Sequence, residues 1–160
     1  MAEGRGLVAL VRGGSLAVAW AEEVTRMQTS AHHSELDRGA CLMLLAGGGV
    51  GRVVFTEAAM PAVAPVVYHM DDEEVVFRTA VGSTLAAATW ARVIAFQADC
   101  IDLRTHTGWT VLGVGQTHEV VDGVRLAALG RRLPAALVPV HTIALRLERL
   151  SGLRLAGRSG

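Results

Sequence analysis

The 160-residue chain contains no lysine: all fifteen of its basic side chains are arginine, and fifteen carboxylates balance them. Schiff-base chemistry on a lysine amine is therefore excluded. A formal net charge of zero and a pI near 7.0 leave no basic field to gather nucleic acid or an anionic membrane. Aromatic residues make up only 4% of a chain that is 51% hydrophobic, so Val, Ala and Leu must build the core. Such a composition suits tightly packed sheet, and subunits that hide apolar surface against a second copy. Two cysteines, Cys41 and Cys100, are too few for a disulfide framework, and no C-x-x-C or Cys/His cluster suggests a metal. Both are expected to be reduced packing residues in a cytoplasmic protein. No uninterrupted apolar run is long enough to span a bilayer. Neither paired carboxylates nor a Ser/His/Asp arrangement suggests hydrolysis. The length suits one domain with a real core.

The stretch that stands out is Val75–Trp90, V-V-F-R-T-A-V-G-S-T-L-A-A-A-T-W. Val75, Val76 and Phe77 favour a strand, Gly82 breaks it, and Ser83 is a good N-cap for a helix through Leu85–Ala88. A Gly-Ser turn that opens a helix aims backbone N–H groups and a positive dipole end at one spot, which suits a phosphate. Arg78 and Thr79, at the strand end, add a guanidinium and a hydroxyl suited to phosphate oxygens. An ordinary capped helix after a strand explains the same residues.

Residues 1–33 read as a poorly packed extension. Gly6–Ala21 has some signal-peptide character, but Arg12 and Gly13-Gly14 interrupt it and Glu3 precedes it, and Met27 is a possible start. His32 and His33 are adjacent, the wrong spacing for ligands on one helix face, and read as solvated loop. The main domain is expected over 34–153, with 154–160 a loose tail. Within it, Ser34–Ala46 reads as a helix capped by Ser34 and stopped at Gly47-Gly48-Gly49. Strands are expected at Val50–Glu57, Pro61–Met70, Arg92–Asp99 and Trp109–Val121, with His141–Leu153 as a single closing strand. Asp71-Asp72-Glu73 forms an acidic turn, Asp102–Gly108 a polar loop and Val124–Leu133 a short helix. Pro65 cannot donate to a ladder and should lie at an edge, a bulge or a ligand-facing break. Gly113 and Gly115 inside a strand indicate a bulge or a close backbone approach. The total is about six strands joined mostly by short turns, a mainly β (α+β) series that closes readily into a barrel. Parallel βαβ repeats are missing.

In order and spacing these segments resemble the pyridoxamine 5'-phosphate oxidase-like flavin-binding split-barrel family. The matching pieces are Leu44–Phe55, Pro61–Tyr68, Val75–Leu85, Ala95–Asp99, Thr107–Gly115 and Ile143–Gly152. The resemblance implies a six-stranded split β-barrel with flanking helices, dimerised so that FMN lies in two clefts between subunits. Arg78, Thr79, Ser83 and Thr84 would take the phosphate and ribityl end. The backbone of Ala64, Pro65, Val66 and Val67 would follow the ring, and Gln97 and Trp109 would reach the cleft from either subunit. Two departures stand out: Thr84 occupies a place often held by a basic residue, and Val66-Val67-Tyr68 replaces a common V-N-Y.

The implied activity is an FMN-dependent oxidoreductase acting on a small molecule in a homodimer, with deazaflavin F420 as the alternative cofactor. Gln97 or Thr110 near the ring would stabilise negative charge on reduced flavin. The alternatives to that reading are a flavin-binding sensor without turnover and a dimeric scaffold that has lost the cofactor. No catalytic residue is assigned. His106 before Thr107-Gly108-Trp109 is a candidate proton donor that reads as well as an exposed loop residue. His69, His118 and His141 share no spacing that would make a haem ligand set. Without a second basic cluster, oxidation of a phosphorylated pyridoxamine is disfavoured. Arg131-Arg132, the one adjacent arginine pair, suits a solvated helix end.

Overall fold

The computed structural model describes residues 33–156; the expectations for the first 32 residues and for 157–160 lie outside it. The elements run β1 (His33–Leu36), α1 (Arg38–Leu45), β2 (Gly49–Glu57), β3 (Met60–Asp71), β4 (Glu74–Ala80) and α2 (Thr84–Thr89). There follow β5 (Val93–Asp102), β6 (Thr107–Glu119), α3 (Gly123–Gly130), β7 (Val140–Arg146) and β8 (Arg149–Leu155). The strands pair antiparallel in the order β1-β8-β6-β5-β2-β3-β4-β7, and a β6–β7 pairing closes the ring. Six strands, β2 to β7, therefore form the barrel. β8 and β1 continue from it as a flap.

Alternation with period two sends one side chain of each strand pair inward. Val53, Val66, Tyr68, Val75, Phe77, Phe96, Val111, Ile143 and Leu145 fill the interior, and Tyr68 meets Phe96 edge-on at 4.9 Å between ring centroids. Burial pushes the Tyr68 hydroxyl above its ordinary pKa. A second cluster, Val76, Val120, Leu129, Leu133 and Ala144, lies under α3 on the outside of the barrel. Arg125 ties that helix down, donating from Nε to Asp71 at 2.7 Å and from Nη2 to Glu74 at 2.8 Å. Burial opposes its charge, but Glu74 and Asp71 outweigh that and hold the guanidinium above its ordinary pKa.

The long strand β6 changes partners midway. Its first half, Gly108–Val114, pairs with β8, whereas Thr117–Glu119 pairs with β7. The chain crosses from β7 to β8 over Gly113 and Gly115, where a β-carbon on Gly115 would lie 1.7 Å from the Arg146 carbonyl oxygen. These two glycines thus mark a close backbone approach. The expected single strand His141–Leu153 is consequently two, interrupted at Leu147 and Glu148. Leu147 is buried and keeps the apolar alternation going across the break, which disguises it.

Three further boundaries differ from expectation. His33–Leu36 is a strand paired with β8, so Ser34 caps nothing; Asp37 is the N-cap of α1, its Oδ1 accepting from Ala40 N at 2.8 Å. Sheet pairing with the distant C-terminal strand outweighs a local helix preference that Asp37 satisfies equally well. β8 runs to Leu155, taking in the start of the expected tail. The β5–β6 ladder continues to Asp102 and Thr107, shortening the polar loop to 103–106. Among the described residues, no helix is long and apolar enough to cross a membrane.

Candidate functional site

Strand β3 carries the main opening. It pairs with β2 from Met60 to Tyr68, but with β4 only from Tyr68 onward. Along Pro61–Val67 the side facing away from β2 has no strand partner. Pro65 lies in this stretch, opposite Arg52, where its missing N–H costs no ladder bond. Alternate N–H and C=O groups of Ala62–Val67 therefore face the split in the barrel, free to pair with an added partner. A bound molecule with donors and acceptors along its edge would satisfy them.

The turn after β4 lies beside that split. Ser83 N donates to Ala80 O at 3.1 Å, Gly82 takes φ +76°, and Ser83 Oγ accepts from Ala86 N at 3.1 Å as the N-cap of α2. The cap matches expectation; the remaining orphan donors of the first turn are those of Thr84 and Leu85. Thr84 is exposed and lines a cleft of about 360 Å³ with Phe55, Ala88, Arg92 and Ile94, between α2 and the ends of β2 and β5. Glu57 also lines it, so the cleft holds one cation and one carboxylate. Arg92, expected from sequence to open a strand, lies just before β5. Nothing in the local sequence announces it, because what brings it beside Thr84 is the β5–β2 pairing.

Arg78 and Thr79 do not converge. Adjacent strand residues point to opposite faces. Arg78 shares the outer face with Val76, and its guanidinium donates to the Pro134 carbonyl beyond α3. Its Nε is buried without a partner. Thr79 shares the inner face with Val75 and Phe77; it is 3% exposed, and its Oγ1 has no partner. The joint use of both side chains on one phosphate, expected from sequence, is not present in this geometry.

The remaining expected residues divide between the two barrel faces. Val66 is buried inside and Ala64 lies on the same inner face, while Pro65 and Val67 are exposed outside. Trp109 packs against the interior cluster rather than beside Gln97. Gln97 stands on the outer face in a register row with Leu112, Arg52 and Pro65. Its Nε2 donates to Thr110 Oγ1 at 3.2 Å and to Asp99 Oδ1 at 3.3 Å, and Asp99 also accepts from Arg52 Nη1 at 2.6 Å. This polar chain crosses an apolar face on which Val50, Val63, Val67, Leu112 and Leu153 are all more than a third exposed. The outward positions of Arg52 and Asp99 were legible in the strand alternation, but their pairing was not.

Three of the described histidines have side-chain partners. His69 meets Arg132 at 3.2 Å, His141 meets Glu119 at 2.6 Å, and His118 lies 3.8 Å from Glu74. They stand apart and share no centre. His106 occupies the exposed turn between β5 and β6 with φ +55°.

Comparison with known proteins gives this geometry a family. The model of the pyridoxamine 5'-phosphate oxidase family matches residues 37–154. The Mycobacterium tuberculosis protein Rv0080 is 36% identical over 132 residues, which span 78% of this chain and 87% of that protein. The FAD-binding protein of Mycobacterium smegmatis is 29% identical, with a TM-score of 0.64 over 76% of this chain and 97% of its own. A FAD-binding protein of Mesorhizobium loti, 18% identical, shares the fold with a TM-score of 0.63 over 78% of this chain and 99% of its own. The split in the barrel beside β3, and a match that runs from α1 to β8, make this chain a member of the pyridoxamine 5'-phosphate oxidase-like family of flavin-binding split barrels.

Proposed function

We propose that the protein is a homodimeric flavoprotein that binds FMN in the barrel split and exchanges electrons with a small-molecule substrate. The single observation that carries this reading is the unpartnered side of β3 between Pro61 and Val67. A flavin ring presents donors and acceptors along one edge, as such a strand requires. The backbone of Ala64–Val67 holds the ring edge, while Thr84 and the first turn of α2 receive the phosphate. Thr79, whose buried hydroxyl has no partner, completes the ribityl end. Arg92, in the cleft with Thr84, supplies the positive charge that relatives commonly carry just after the turn serine. Arg78 is left as a strut between β4 and the Pro134 loop.

When bound, a flavin supplies hydride or one-electron transfer. The chain's own part is to orient it and keep water from its ring. Gln97, held by Asp99 and Thr110, presents a fixed amide on the outer face, where a second protomer would close the cleft. The apolar row Val50, Val63 and Val67 supports that dimer, because exposed patches of this kind mark interfaces. Reduced Cys41 and Cys100 agree with a cytoplasmic home.

A second reading concerns the cofactor, since the Mycobacterium smegmatis relative is a FAD-binding protein. FAD contains the same ring and first phosphate, so it would use the same β3 edge. Titration of the purified protein with FMN, FAD and F420, followed by flavin fluorescence, separates the three. The proposal expects a yellow dimer that binds FMN. A colourless protein that leaves all three fluorescent would overturn it in favour of a cofactor-free scaffold. Binding without turnover by any electron donor would leave a sensor.

A further inference from the structure

A pocket of about 530 Å³ opens where the flap leaves the barrel, bounded by β1, β8 and the first half of β6. The side chains of Leu112 and Leu153 face it, Leu36 and Leu150 turn inward to the core cluster behind it, its hydroxyls are Thr110 and Ser151, and its one charged group is the Glu35 carboxylate. Pockets of this size and largely apolar lining hold small molecules. No arginine or histidine lines it. Arg149, the next outward residue along β8, pairs in register with Val114 and is not part of the wall. Leu112, in that wall, is the direct cross-strand partner of Gln97, and Thr110 accepts a hydrogen bond from Gln97. The pocket thus begins one residue from the proposed ring contact.

From this lining we infer the class of substrate: an apolar, ring-sized molecule carrying an amine or another donor group, and no phosphate or carboxylate. The inference rests on the proposed flavin cleft for its word substrate; the charge preference belongs to the pocket itself. Leu112 and Leu153 give the ring an apolar surface away from water. Glu35 attracts a cation and repels an anion, and no cation in the wall can offset that repulsion. Thr110 and Ser151 accept from, or donate to, the polar end.

The test uses two probes with one skeleton and opposite charge, 1-naphthylmethylamine and 1-naphthylacetate, titrated calorimetrically into the full-length protein loaded with FMN. The amine should bind at least tenfold more tightly, and added salt should narrow the gap. Glu35→Gln should reduce the ratio to under threefold. Leu153→Arg, a change at an exposed position, should reverse the preference. Equal or tighter binding of the acetate by the unaltered protein overturns the inference, and so does a tenfold ratio that survives Glu35→Gln. FMN fluorescence is measured on each variant separately. Failure to take up flavin strikes the proposed function and leaves the probe ratio readable on the same protein.

Discussion

Gly115 offers the most exacting test of the barrel's construction. A β-carbon there would stand 1.7 Å from the Arg146 carbonyl oxygen, 2.9 Å from its carbon and 3.1 Å from Glu148 N, whereas ordinary contact begins near 3.4 Å. Gly115→Ala must therefore move backbone, not a flexible side chain. The chain that has to move is the crossing from β7 to β8, held to β6 by Glu148 N donating to Val114 O at 3.1 Å. Overpacking of this kind costs about 1–3 kcal/mol. Losing the crossing hydrogen bond adds about 1 kcal/mol more. The expected loss is about 2–4 kcal/mol, a large share of the stability of an ordinary domain. In a domain of this size that lowers Tm by roughly 5–20 °C. Gly123→Ala is the control: a β-carbon there meets nothing within 4 Å, and the residue opens α3. It should leave Tm unchanged or raise it by a few degrees, through the stiffer unfolded chain. Thermal unfolding followed by circular dichroism reads both. A Gly115→Ala variant melting within about 2 °C of the parent would mean that β7 and β8 do not cross β6 as described.

Other consequences follow from single contacts. Arg125→Ala removes the tie from α3 to Asp71 and Glu74 and should cost about 1–2 kcal/mol in urea unfolding, with flavin affinity unchanged; a weaker flavin complex would put α3 in the site. Cys41 is buried and Cys100 exposed, so one thiol should react with Ellman's reagent in the native protein and two after denaturation. Burial, then Asp37, raises the Cys41 pKa, so folding favours the neutral thiol. That contribution is complete below the ordinary thiol range and is lost as pH rises through and above it, so Tm should fall on alkaline titration. A Cys41→Ala variant should lose part of that slope, and an unchanged slope would refute the assignment. Arg92→Ala should weaken FMN by about tenfold, the loss of one charge-assisted contact, whereas Arg78→Ala should lower Tm and leave FMN affinity within threefold. The reverse outcome would return the phosphate to Arg78.

The fold was legible wherever a local rule and the tertiary answer agreed. Ser83 caps α2 because Gly82 breaks the strand before it, and both facts lie within two residues of each other. Pro65 announced an edge, and Gly113 with Gly115 announced a close approach, because each lacks something that a central strand needs. The failures share one cause. Ser34 and Asp37 are both good caps, and only pairing with β8, more than a hundred residues away, decides between them. Leu147 keeps the apolar rhythm of β7 and β8 through the break, so the rhythm alone reads as one strand. In the candidate site, the sequence motif drew Arg78 and Thr79 together because they are neighbours, although a strand sends neighbours to opposite faces. Arg92 was missed for the converse reason: the barrel brings it to Thr84, and the sequence between them is a helix and a turn.

The central claim is that a flavin lies along the unpartnered side of β3. Hydrogen–deuterium exchange on those amides of residues 62–67 that face away from β2, with and without FMN, addresses it directly. These amides should exchange quickly in the free protein and slow markedly when FMN is added, while the alternate amides paired with β2 and the β5–β6 turn at 103–106 are unaffected. Equal exchange of the outward amides in the two states, at FMN concentrations that saturate binding, would contradict it.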